Sequence, residues 1–154
     1  MRMVLSQTLA ALAVVIGFTA ASVAGSDKVV IEDAWSRASI GTGRPGVAYM
    51  KIRNTGDLAV TLRSISTDIA LKPEIHLTST TNQGVSSMAP VGEIEIAPGK
   101  AVMLEPGGLH AMLMGLKWKM TEGESFLMTL AFSDGGEVTV EIPILSISAR
   151  GPES

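Results

Sequence analysis

The chain has 154 residues, 46% of them hydrophobic and 18% charged, with a formal net charge of −3 and no cysteine. That length fits one ordinary domain, and 12 basic against 15 acidic residues advertise no basic face to nucleic acid. Without cysteine there are no disulfides, thiolate zinc sites, iron–sulfur clusters, blue-copper centres or cysteine nucleophiles. Nine methionines stand against three Phe and one Tyr, so thioethers take much of the place that aromatic side chains usually fill.

The first segment is a targeting signal. Met1-Arg2 opens with positive charge, an apolar stretch runs from Leu9 to Phe18, and small residues follow from Thr19 to Ala24. Ser22 and Ala24 match an A-x-A-like cleavage site. A membrane span needs roughly 20 continuous apolar residues, and this stretch is shorter. Cleavage of 1–24 is therefore expected, leaving 25–154 as the mature domain, exported and soluble. No cysteine near the cleavage point offers a lipid attachment.

From Lys28 onward the apolar pattern has period two rather than 3.6. Val29 to Trp35 is a strand candidate. Gly41-Thr42-Gly43 reads as a turn, since no βαβ pattern accompanies it as a nucleotide loop requires. Ala48, Met50 and Ile52 alternate with Tyr49, Lys51 and Arg53, and Asn54-Thr55-Gly56-Asp57 ends that strand. Leu58 to Ser66 and Glu74 to Thr80 are further strands; in the second, Ile75 and Leu77 are expected inward and His76 outward. Met88 lies in a polar, turn-like stretch, Gly84 to Pro90, with no apolar stripe.

Glu93 to Ile96, Ala97-Pro98-Gly99 and Lys100 to Glu105 together read as a hairpin. His110-Ala111-Met112-Leu113-Met114 follows the turn Pro106-Gly107-Gly108. If it is a strand, His110, Met112 and Met114 share one face. Phe126, Met128, Leu130 and Phe132 alternate with Leu127, Thr129, Ala131 and Ser133. Asp134-Gly135-Gly136 turns that run into Val138, Val140 and Ile142. Turns arriving every 8–12 residues predict one all-β domain, an antiparallel sandwich or barrel. Helix is limited to a turn near Ser66–Leu71 or Leu116–Thr121.

Enzyme signatures are missing: there is no Gly-x-Ser-x-Gly elbow, glycine-rich phosphate loop or His-Glu-x-x-His. Two histidines cannot build a three-imidazole catalytic site. Two imidazoles and at least two thioethers, in a protein poor in every other ligand, point instead to a metal. Thioether is a soft, neutral donor that selects Cu(I) and that imidazole can accompany, whereas zinc prefers thiolate or imidazole, and calcium and magnesium prefer oxygen. The competing reading is a metal-free exported β-domain for adhesion or protein assembly, with its Met residues as packing filler.

The spacing carries a resemblance. His76-Leu77, ten residues, Met88, twenty-one residues, then His110-x-Met112 resembles the pattern of the PCuAC family of periplasmic copper chaperones. The surrounding segments Glu74-Ile75-His76, Gly92 to Gly99, Leu104 to Gly108 and Met112 to Leu116 are similar too. The likeness runs from about Val30 to Ile144. It implies a cupredoxin-like β-barrel binding one Cu(I) through His76, Met88, His110 and Met112. It also implies a periplasmic location and a role in loading the copper centre of cytochrome c oxidase, often alongside a Sco-type thioredoxin-like protein. Leu77 departs from the family, where Met is frequent. The tail from Ser146 to Ser154 has neither His nor Met, which speaks against a second copper site of the kind some members carry.

Overall fold

The structure is a computed structural model that describes residues 25–152; the segment 1–24, expected to be a targeting signal, lies outside the described residues. A single 3₁₀ turn, Gly25–Lys28, leads into ten strands: β1 (Val29–Arg37), β2 (Gly46–Asn54), β3 (Val60–Thr67), β4 (Ala70–Thr80), β5 (Ser86–Pro90), β6 (Ile94–Ile96), β7 (Ala101–Leu104), β8 (Leu109–Leu116), β9 (Ser125–Phe132) and β10 (Glu137–Leu145). Among the described residues, neither predicted helical turn forms a helix. Asp68–Ile69 is a tight turn and Lys117–Trp118 a bend.

The alternation that predicts strands also decides which faces are buried. Phe126, Met128, Leu130 and Phe132 of β9 are all buried, while Leu127 between them is 59% exposed. Each such side chain contributes on the order of 1.5–3 kcal/mol by leaving water. Their partners in the core include Ile142, Leu62, Ile52, Met50, Leu113 and Met120. The hydrogen-bonded order is β5-β4-β8-β7-β2-β1-β10-β9-β3-β6. β3 and β4 stand far apart in that order, yet only Asp68–Ile69 separates them in the chain. The ladder must therefore fold back on itself, which makes two layers around one core.

The sheet is mixed rather than wholly antiparallel. β1 meets β10 in parallel through Ser36↔Ile144 and Arg37↔Leu145, and β7 meets β8 in parallel at Leu104↔Leu109. The segment Glu93–Glu105 is not a hairpin, and this corrects the sequence reading. β6 pairs with β3, whereas β7 pairs with β2, so the turn Ala97-Pro98-Gly99 carries the chain from one layer to the other. Buried Asn54 holds this crossing: its Nδ2 donates to the carbonyls of Leu58 and Ile96, at 2.7 and 3.0 Å. Its backbone N–H donates to Lys100 O and its carbonyl accepts from Gly99. Gly99 takes φ +71° there, a conformation cheap only for glycine.

The Asp134-Gly135-Gly136 turn joins β9 to β10 as predicted, with register Glu137↔Ala131. Asp134 accepts hydrogen bonds from the N–H groups of Gly136 and Ser26, each at 2.9 Å. The first described turn of the chain is thereby tied to the far hairpin.

Candidate metal centre

β4 is an interior strand, paired with β5 on one side and β8 on the other. Successive side chains alternate faces. Ile75 of β4 and Ala111 and Leu113 of β8 go to the core. The opposite face therefore receives Lys72, Glu74, His76 and Thr78 from β4, and His110, Met112 and Met114 from β8. Register sets these in rows: His76 opposite His110, Glu74 opposite Met112, Lys72 opposite Met114. On the other side of β4, His76 pairs with Pro90 and Thr78 with Met88. His76, His110, Met112 and Met88 thus come from three adjacent strands onto one face, with Met112 and Met88 each one row from the His76–His110 pair and on opposite sides of it.

Two sequence expectations are corrected here. His76 does point away from Ile75, but it is only 7% exposed; Leu77 remains 40% exposed. Met88 stands in a regular strand, β5, rather than in a turn. The signal was weak because every residue of β5 is exposed, so no apolar alternation marks it.

The two rings have centroids 6.0 Å apart and planes inclined by 43°, and His110 is 3% exposed. His110 Nδ1 lies 3.1 Å from the carbonyl of Gly108, in its own turn. A carbonyl only accepts, so Nδ1 carries the proton and Nε2 keeps a lone pair. His76 Nε2 lies 3.2 Å from Glu74 Oε2, and the other oxygen of Glu74 takes the Lys72 ammonium at 3.2 Å. The hydrogen bond from His76, then that from Lys72, holds the Glu74 carboxyl below its ordinary range. It is an acceptor at neutral pH, so His76 Nε2 donates and Nδ1 keeps the lone pair. His76 Nδ1 and His110 Nε2 are buried and have no hydrogen-bond partner. An unpaired buried polar atom costs about 1–3 kcal/mol. The two atoms belong to rings that stand opposite each other across β4 and β8.

Among the described residues no group of three His, Asp or Glu side chains could hold a metal ion. Beside the two histidines the same face offers the thioethers of Met112 and Met114, with Met88 on β5. The methionines divide accordingly: Met50, Met120 and Met128 fill the core at 2%, 1% and 0% exposure, while Met112 and Met114 are half-buried beside His110. Met88 is 54% exposed, and Met103, on β7 beside β8, is 45% exposed. The sequence reading passed over Glu74, although its i, i+2 relation to His76 on a strand is legible as a shared face.

A family model described as "LpqE-like: Putative lipoprotein LpqE-like" matches residues 29–144. The chain is 32% identical over 123 residues to "Putative lipoprotein Lxx21020" of Leifsonia xyli, an alignment covering 80% of this chain and 73% of that protein. Its fold is similar to the copper-bound PCuAC domain from PmoF2, with a TM-score of 0.65 at 25% identity over 77% of this chain and 93% of the other. It is also similar to the solution structure of Cu(I)-DR1885 from Deinococcus radiodurans, with a TM-score of 0.55 at 29% identity over 82% and 85% of the two chains. An all-β fold of the PCuAC kind is therefore shared, and by the extent of the family match the chain belongs to the LpqE-like family.

Proposed function

We propose that this protein is an exported metallochaperone that carries one Cu(I), bound by His76, His110, Met112 and Met88, and catalyses no reaction itself. The observation that carries the reading is the pair of buried, unpartnered imidazole nitrogens, His76 Nδ1 and His110 Nε2. Ring centroids 6.0 Å apart leave room for one ion between them, since a metal–imidazole bond is about 2 Å. Thioethers from β8 and β5 supply the soft donors that make Cu(I) the preferred ion. Four neutral donors leave a bound Cu(I) as a single positive charge, which suits release better than electron transfer. Copper in the PCuAC domain of PmoF2 and Cu(I) in DR1885 support the same cargo for this chain.

Export rests on the segment 1–24, and a soluble form on the absence of a cysteine to carry a lipid. The acceptor we infer is the copper-bearing subunit of cytochrome c oxidase, reached directly or through a Sco-type thioredoxin-like protein in the periplasm. A deletion strain grown under copper limitation is expected to lose oxidase activity and to regain it with added copper. Oxidase activity equal to the parent's would reject this acceptor. Purification from copper-supplemented cells tests the cargo: one copper per chain is expected, and none under reducing conditions would favour the metal-free β-domain.

A further inference from the structure

The two histidines are oriented by different devices. His110 is held by a backbone carbonyl, that of Gly108, and offers Nε2. His76 is held by a side chain, Glu74, and offers Nδ1. Glu74 is in turn fixed by Lys72 at its second oxygen. Lys72, Glu74 and His76 sit at alternate positions of β4, so the strand itself lines the three groups up on one face. A neutral imidazole has two tautomers, and only one of them leaves a given nitrogen free to bind metal. A backbone carbonyl cannot be mutated away, but a carboxylate can, which makes the His76 arm open to test.

We propose that Glu74 is a positioning residue that locks His76 in the Nε2–H tautomer, so that His76 meets the cargo through Nδ1 while His110 meets it through Nε2. This rests on the reading of His76 as a copper ligand. Glu74 makes no bond to copper in it; its carboxylate accepts the Nε2 proton and fixes the ring. Partners of this kind raise ligand basicity and orient the ring, and losing one typically lowers metal affinity 10–100-fold. The asymmetry between Nδ1 and Nε2 gives the two arms different approach directions to one ion.

The first readout needs no copper. In the ¹⁵N-labelled apo protein at alkaline pH, His76 is expected to show a protonated Nε2 and an unprotonated Nδ1. Glu74→Gln keeps that pattern, because its amide oxygen accepts the same proton. Glu74→Ala averages the two nitrogens. An unchanged His76 pattern in Glu74→Ala would overturn the proposal whatever copper does. The second readout is Cu(I) competition: Glu74→Ala is expected to bind 10–100-fold more weakly, with Glu74→Gln close to the parent. Equal losses in both variants would mean that Glu74 acts by charge or as a ligand, and would also overturn it. His76→Ala separates this from the underlying reading. If that variant binds Cu(I) like the parent, the copper assignment of His76 fails even where the tautomer result stands.

Discussion

His76 and His110 lie directly opposite each other across β4 and β8, both buried, with ring centroids 6.0 Å apart. Each spends one nitrogen on a neighbour two residues away in its own strand or turn and leaves the other unpaired. Around this pair the thioethers differ in accessibility, from half-buried Met112 to Met88 on the exposed edge strand. That gradient makes specific predictions.

Met112 and Met114 share a face but stand in different rows, opposite Glu74 and Lys72. Leucine keeps most of the volume of methionine, so either replacement costs less than about 1.5 kcal/mol of stability. Met112→Leu is expected to lose Cu(I) affinity by tenfold or more, with Met114→Leu close to the parent. Competition against a Cu(I)-specific chelator, with melting of the apo proteins alongside, measures both. The ligand set is wrong on this strand if the two variants exchange places.

Met88 is the most exposed of the four proposed donors and therefore the one from which exchange with an acceptor starts. Met88→Ala should leave apo stability within about 0.5 kcal/mol, as surface changes do. Stopped-flow transfer of Cu(I) to a chelator should nevertheless be faster than in the parent. A transfer rate unaffected by the substitution would remove Met88 from the site.

Protons compete with Cu(I) for imidazole nitrogen but not for thioether sulfur. Affinity should therefore weaken as the pH falls from about 7 to about 5. Double replacement of His76 and His110 by Ala should leave weaker binding with a flatter pH profile. A parent profile flat over this window would show that neither imidazole binds the ion.

One prediction concerns the fold alone. Gly46 opens β2 opposite Leu113, and a Cβ there would overlap Met120 Sδ in the core. Gly46→Ala should cost about 1–3 kcal/mol by overpacking, lowering the apo melting temperature by about 4 °C per kcal/mol. A melting temperature equal to the parent's would mean that Met120 moves aside freely.

The architecture was legible wherever one face of a strand is buried and the other is wet. Phe126 to Phe132 and Ala48 to Ile52 alternate because they border the core. The alternation fails for β5, which is exposed on both faces, and so Met88 looked like part of a turn. It says nothing of which strand pairs with which: the residues around Ala97-Pro98-Gly99 read as a hairpin, yet long-range bonds from Asn54 send the two arms to different partners. The histidines and methionines stood out because little else in the chain can bind a metal. The burial of His76 could not be read locally, since its cross-strand neighbours Pro90 and His110 lie far from it in the chain.

The most direct measurement is X-ray absorption at the copper edge of the Cu(I)-loaded protein. Two nitrogen donors and two sulfur donors are expected, with one sulfur lost in Met112→Leu. A shell of nitrogen and oxygen alone, unchanged by that substitution, would contradict a site built from His76, His110, Met112 and Met88.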